Sequence, residues 1–318
     1  LHLNKKYKKI LIIGSHGYVG SNLIKYYSLD PDLLIYGISR KKGLIKAVKK
    51  NYTGDITDKQ FLHKIKENFD VIINCAAKTD HFGDEQEFYR QNVEALNQFL
   101  TVFDGKYKVF IQISSEAVYL NGKLPILNEN TNLPNNNISD YSYSKNLAER
   151  AITQFHSRFK NKIIIIRPRI IWGGENSIAS KKLSRAIEKK IFFYVDHGNY
   201  MTSSTHIYNL YQGINKAIEF GKNKGIYFIL DEFPIRFKHL TEMILGDKIK
   251  SPSIPRWLAY VLCNLADTMY YLSFKKVRLP LSRALYFLTF SEVVIDNSLT
   301  RKTLHFEPIP FEKLMHEY

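Results

Sequence analysis

The chain has 318 residues, 45% of them hydrophobic, enough for a large core and ordinary for a globular protein. Its net charge is +16, yet lysines are spread from Lys5 to Lys313 without a DNA- or RNA-binding motif. Nucleic acid is therefore not expected as a partner, and background composition or an anionic membrane surface accounts for the charge. Two cysteines, Cys75 and Cys263, indicate no disulfide framework and fit a reducing cytoplasm. The apolar run at Ile10 is too short for a secretory signal, and His2, His16, His63, His81 and the other histidines show no metal-ligand spacing, so no metal is expected.

Lys9-Ile10-Leu11-Ile12-Ile13 stops abruptly at Gly14-Ser15-His16-Gly17-Tyr18-Val19-Gly20, which predicts a buried parallel strand entering a glycine-rich turn. The apolar spacing then changes to Val19, Leu23, Ile24 and Tyr27, a helical face expected to run to Asp30-Pro31. A strand, a glycine loop and a helix in this order form a pyrophosphate cradle. Gly14 would permit the tight turn, Gly17 the approach of backbone to the phosphates, and Gly20 the close packing of helix on strand. The second strand, Leu33 to Ile38, leads into Ser39-Arg40-Lys41-Lys42. No carboxylate stands there to bind the adenine ribose hydroxyls, and a basic cluster begins where a 2′-phosphate would lie. NADP is thus expected in preference to NAD.

Asn128 to Ser139, with Pro134 and Asn135-Asn136-Asn137, is the one compositionally biased loop. Its position puts it at the mouth of a site, as a mobile substrate loop or a plain surface loop. It leads into Tyr141-Ser142-Tyr143-Ser144-Lys145, where a phenol stands one helical turn from an ammonium that makes its phenolate less costly. Such a pair can exchange a proton with an alcohol or carbonyl near neutral pH. Tyr143 is two residues from Lys145, on another helix face, and is not expected to be the catalyst.

With Gly54-Asp55-Ile56, Val71-Ile72-Ile73-Asn74-Cys75-Ala76-Ala77, Gln91-Asn92-Val93, Ile113-Ser114-Ser115-Glu116-Ala117-Val118-Tyr119 and Ile166-Arg167-Pro168-Arg169-Ile170-Ile171-Trp172-Gly173 in order, the chain resembles the extended short-chain dehydrogenase/reductases over nearly its whole length. The resemblance implies an α/β fold, a Rossmann-type doubly wound parallel sheet with a smaller carboxyl-terminal substrate-binding cap. Residues 1–168 would form mainly the dinucleotide-binding domain, and 169–318 the remaining Rossmann elements and the cap. The implied cofactor site takes Gly14, Ser15, Gly17, Tyr18, Val19 and Gly20 from the loop, Ser39 and Arg40 from the second strand, Asp55 and Ile56 at the adenine. Ala76, Ala77, Asn92, Tyr141, Lys145 and Pro168 complete it. Tyr141 would exchange the proton, Ser115 (or Ser114) would bond the same substrate oxygen, Lys145 would stabilise the phenolate and hold the nicotinamide ribose, and Asn92 would support a proton relay. A cytoplasmic homodimer paired through the Tyr141 helix is usual in that family.

Nucleotide-sugar members usually carry an asparagine three residues after the sixth-strand arginine and an arginine before a later strand. This chain has Ile170 and Thr202 there, although Arg169 or Arg185 could replace them. The segment from Ile254 to Phe274 is aromatic and mostly apolar, and is followed by Lys275-Lys276-Val277-Arg278. It resembles the tail of 3β-hydroxysteroid and sterol dehydrogenase-like members. Arg256, Asn264 and Asp267 interrupt it, so it is expected as a helical cap over the site or a helix lying on a bilayer, not as a membrane span. The expected function is an NAD(P)-dependent oxidoreductase acting on a secondary alcohol or ketone of a hydrophobic, sterol-like small molecule. Its rivals are a nucleotide-sugar epimerase, dehydratase or reductase, and a dinucleotide-binding regulatory protein without turnover.

Overall fold

The computed structural model of the chain describes residues 3–79, 84–122, 127–155, 161–246, 248–277 and 279–317. The apolar runs become strands of one parallel sheet: β1 (Lys9–Ile13), β2 (Leu34–Ser39), β3 (Lys50–Thr53), β4 (Phe69–Asn74), β5 (Tyr107–Ile113) and β6 (Lys162–Ile166). A short seventh strand, Ile226–Tyr227, pairs with β6. Across the sheet the order is seventh strand, β6, β5, β4, β1, β2, β3, with every pair parallel. The chain therefore winds away from β1 in both directions, and a crevice opens above the carboxyl ends of β1 and β4 where the winding reverses.

These strands read as continuous apolar runs because both faces of the sheet are covered. Successive side chains point to opposite faces. Ile10, Ile12, Val71 and Ile73 pack with Leu23 and Ile24 of helix α1 (Tyr18–Tyr27) on one side. Leu11, Ile13, Ile72 and Phe110 pack with Leu96, Phe99, Ala148 and Ile152 on the other. The helix expected to reach Asp30-Pro31 ends earlier, at Tyr27. The N–H groups of Ser28, Leu29 and Asp30 still find carbonyls of the last turn, so the chain tapers into a turn before proline forbids more helix.

Four further helices precede β6: α2 (Lys59–His63), α3 (Glu85–Tyr89), α4 (Ala95–Val102) and α5 (Asp140–Phe155). A π-helical turn, Arg90–Glu94, joins α3 to α4. After β6, α6 (Ile178–Glu188) lies in the second lobe, while α7 (Ile207–Phe220) returns to the sheet and packs Leu210 and Ile214 on its α1 face. A separate apolar cluster of Tyr194, Val195, Tyr200, Phe237, Tyr286 and Phe290 forms the core of the smaller lobe. Into it the long helix Arg256–Leu272 buries Ala259 and Cys263.

Candidate active site

A cleft of about 270 Å³ lies over the carboxyl ends of β1, β2 and β4. Its floor is the glycine loop. Gly14 turns the chain at φ +84°, and a side chain there would press on the backbone of Ala76. A Cβ at Gly20 would stand 2.3 Å from the Gly14 carbonyl, so this glycine fixes the approach of α1 to the loop. Gly17 is different: it is the N-cap of α1, exposed, in extended geometry (φ −75°, ψ 165°), with no side chain capping the helix. The first N–H groups of α1 thus face a cleft that a side chain at Gly17 would fill, a fit for a pyrophosphate.

The expected cofactor residues divide here. Gly14, Gly17, Ser39, Arg40, Asp55, Ile56, Ala76 and Ala77 line the cleft. Ser15 is buried and donates to Asn51 at 2.7 Å, Tyr18 donates its phenol proton to the Gly173 carbonyl at 2.7 Å, and Val19 packs against the core. Those three contribute backbone to the loop while their side chains hold the fold. Pro168 is buried, and its carbonyl accepts the Glu116 N–H at 3.3 Å. The sequence reading missed His16, whose Nδ1 meets Ser39 Oγ at 2.7 Å; it lines the cleft beside Arg40 and Lys41 of the basic cluster. His16 stands between Gly14 and Gly17 of the loop, and only the return of β2 beside β1 brings it to Ser39.

The predicted catalytic groups gather at the neighbouring strand end. Ser115 caps the short 3₁₀ turn Glu116–Tyr119, accepting the Ala117 N–H at 3.1 Å and donating to Glu116 Oε2 at 2.8 Å. It is also close enough to the Tyr141 phenol to favour its ionised form. Ser114 instead points into the core and donates to Glu149, which pairs with the buried guanidinium of Arg167. The geometry therefore favours Ser115 over Ser114 as the partner of Tyr141. Tyr143 lines a second cavity, away from Ser115.

Lys145 is buried near Cys75, its Nζ donating to the Ile113 carbonyl at 2.9 Å. Burial pushes its ammonium down from 10.5 to about 8, against the opposing charge of Glu149 and the nearby Cys75 thiol. The Tyr141 phenol is pushed up, chiefly by burial and then by the Glu116 carboxylate, while Ser115 opposes the rise. The phenolate expected from the lysine neighbour is thus not favoured in this arrangement, where desolvation and the Glu116 carboxylate set the direction of the shift. Tyr141 therefore stands protonated at neutral pH.

The depressed lysine has a consequence for stability. Below pH 8 the folded protein carries the full cost of a buried ammonium, and that cost disappears as the pH rises to 10.5, where the unfolded lysine also loses its proton. Lys145→Met should accordingly be more stable than wild type near neutral pH, relative to the alkaline limit, by up to about 3 kcal/mol. Urea unfolding across this range measures the difference, and a pH-independent difference would refute the assignment.

Asn92 sits in the π-helical turn, a distortion often found at functional sites. Its amide donates to the Lys78 carbonyl (3.1 Å) and to Ser144 Oγ (2.8 Å), and its oxygen accepts the Lys78 N–H (2.8 Å). Both donors are engaged, so the side chain braces the loop after β4 against α5, and a proton relay through it would have to displace one of these bonds.

Beyond Ser115, the buried Arg169 bonds Glu116 Oε1 at 2.6 Å, the Thr202 hydroxyl at 3.1 and 3.2 Å, and the Leu288 carbonyl. Ile170 adopts φ +36°, a left-handed conformation unusual for a β-branched residue, and its side chain packs with the cluster around Trp172 and Phe311. Arg185 is exposed on α6. The loop Asn128 to Ser139, described from residue 127, is tied down: Asn137 donates to the carbonyls of Val118 and Leu120, and Asn146 and Arg150 bond the Pro134 carbonyl. Among the described residues no group of three or more His, Cys, Asp or Glu could hold a metal ion; His2 and His81 lie outside them. Both cysteines are free thiols.

The profile of the NAD dependent epimerase/dehydratase family matches residues 10–229, and the chain belongs to that family. The 4-hydroxy-2-methyl-3-oxo-4-farnesyl-3,4-dihydroquinoline-1-oxide ketoreductase of Stigmatella aurantiaca is 26% identical over 306 residues, 93% of this chain and 91% of the relative. Sterol-4-alpha-carboxylate 3-dehydrogenase, decarboxylating, of Dictyostelium discoideum is 25% identical over 73% of this chain and 74% of its own. The UDP-glucuronic acid 4-epimerase of Bacillus cereus in complex with NAD shares the fold, with a TM-score of 0.71 and 19% identity over 96% of this chain and 95% of that one. The protein is thus an NAD(P)-dependent oxidoreductase of the extended short-chain type, moving a hydride between nicotinamide and a secondary alcohol or ketone.

Proposed function

We propose that this enzyme reduces a ketone, or oxidises the matching secondary alcohol, of a hydrophobic ring-containing molecule, with NADP preferred to NAD. The observation that carries the substrate reading is the engagement of Arg169. The cation next to the sixth strand that could have held a sugar diphosphate is buried on Glu116 and Thr202, while Ile170 turns to an apolar cluster. A diphosphate entering there would lose its hydration without gaining a partner from these positions. The two relatives whose printed names carry a farnesyl group and a sterol support the same reading.

When bound, the nicotinamide supplies or accepts the hydride. Tyr141, protonated by virtue of its burial, gives its proton to the substrate oxygen during reduction, and Ser115 bonds the same oxygen. Lys145, reaching from α5 to the Ile113 carbonyl at the end of β5 and lying next to Cys75, would orient the ribose. Arg40, with Lys41 and His16 beside it in the cleft, would hold the 2′-phosphate of the adenine ribose. The division at residue 168, a homodimer through α5, and a cytoplasmic location with peripheral membrane contact belong to the same proposal. Native mass spectrometry reads the dimer.

Turnover of sterol and prenylated ring ketones should be compared with that of uridine- and thymidine-diphosphate sugars, with NADPH and with NADH. Activity on the apolar panel is expected, and Arg40→Ala should weaken NADPH more than NADH by about 1–3 kcal/mol. Saturable turnover of a sugar nucleotide with no response to apolar ketones would overturn the substrate class. Equal loss for both cofactors would assign NAD.

A further inference from the structure

The Arg256–Leu272 helix packs through small residues and leaves its large ones outside. Ala259, Cys263 and Ala266 are buried, whereas Trp257, Val261, Leu265, Met269 and Leu272 recur at four- and three-residue steps along the opposite side. Trp257 is 67% exposed, Leu265 54%, Met269 50% and Leu272 76%, and Phe274 just beyond is 87% exposed. Between Trp257 and Phe274 the one charged residue is Asp267, whose carboxylate accepts the Arg283 N–H at 3.0 Å at the edge of the packed side. The outer face therefore carries no charge, and it runs directly into the exposed Lys275 and Lys276. A helix of 17 residues is about 25 Å long, and among the described residues no helix is long and apolar enough to cross a membrane.

We propose that this face lies in the interfacial layer of an anionic lipid bilayer, with Lys275 and Lys276 at the headgroups. An apolar stripe bordered by cations, on a helix too short to span, is the arrangement that inserts part-way into a bilayer. The net charge of +16 draws the chain to anionic lipid and opposes the approach of a second copy through the same face. Trp257, Tyr260 and Tyr271 offer rings with a polar edge, suited to the headgroup boundary. The same helix also forms a wall of a cavity of about 460 Å³, where Tyr270 and Tyr271 face Tyr143 and the Asn136–Asp140 segment next to α5. A face held at the bilayer would bring the enzyme to the phase that holds a lipid-dissolved substrate. This extends the hydrophobic-substrate reading, but it is measured without turnover, so its failure would leave that reading standing.

The test is sedimentation of the whole chain with vesicles of phosphatidylcholine alone or with about 30% phosphatidylserine. Wild type should pellet with the anionic vesicles, and the combined Trp257→Ser, Leu265→Ser and Leu272→Ser variant should bind at least about tenfold more weakly while binding NADPH as wild type does. Lys275→Gln with Lys276→Gln should lose the preference for anionic lipid. Because Trp172 is buried, the emission of Trp257 reports the same event without any substitution, and should shift to the blue on anionic vesicles. No pelleting, equal pelleting of wild type and triple variant, or an unshifted emission would overturn the proposal. A wild-type dimer that the triple variant dissolves, with no vesicle binding, would assign the face to a second copy.

Discussion

Replacing Tyr141 by phenylalanine should lower turnover by about 10²–10⁴-fold and leave cofactor affinity within about twofold of wild type. The ring and its packing remain, and only the oxygen that moves the proton is lost. Ser115 keeps its bonds to Glu116 and the Ala117 N–H, so removal of the phenol does not leave a buried hydroxyl without a partner. Steady-state kinetics on an established substrate, beside fluorescence titration of NADPH, separate the two quantities. A Tyr141→Phe enzyme that keeps most of its rate would refute the mechanism. Lys145→Ala should damage both rate and affinity, because in the proposed function its ammonium orients the ribose.

Gly17→Val should abolish dinucleotide binding, with an affinity loss of at least about 100-fold, while the fold survives. Gly17 is exposed and extended, a backbone state open to any residue, and an added Cβ would touch only the Gly14 carbonyl, at 3.1 Å. The branched side chain would fill the space over the first N–H groups of α1. Gly20 makes the contrast, since a Cβ there would collide with the Gly14 carbonyl and disturb the loop itself. Binding by Gly17→Val equal to wild type, with an unchanged thermal midpoint, would remove the glycine loop from the cofactor site.

What the sequence determined by itself was local or periodic. The apolar runs of β1 and β2 were legible because strands covered on both faces need no polar alternation, whereas β4, β5 and β6 were placed by the family resemblance. The Gly14–Gly20 loop was legible because its demands fall on neighbouring residues, and the Tyr141–Lys145 spacing because a helix has a fixed pitch. β3, Lys-Asn-Tyr-Thr, carries no apolar run, being an edge strand recruited by pairing with β2. The tertiary structure decided the rest. It joined Glu116 to Arg169 across 53 positions, His16 to Ser39 across 23, and Asn92 to Ser144 across 52. It also set the sign of the changes at Tyr141 and Lys145, since desolvation depends on what surrounds a group and not on its neighbours in the chain. For the Arg256–Leu272 helix, the sequence showed an aromatic, mostly apolar segment, but only packing against the second lobe decided which side is covered, because burial is a property of the partner surface.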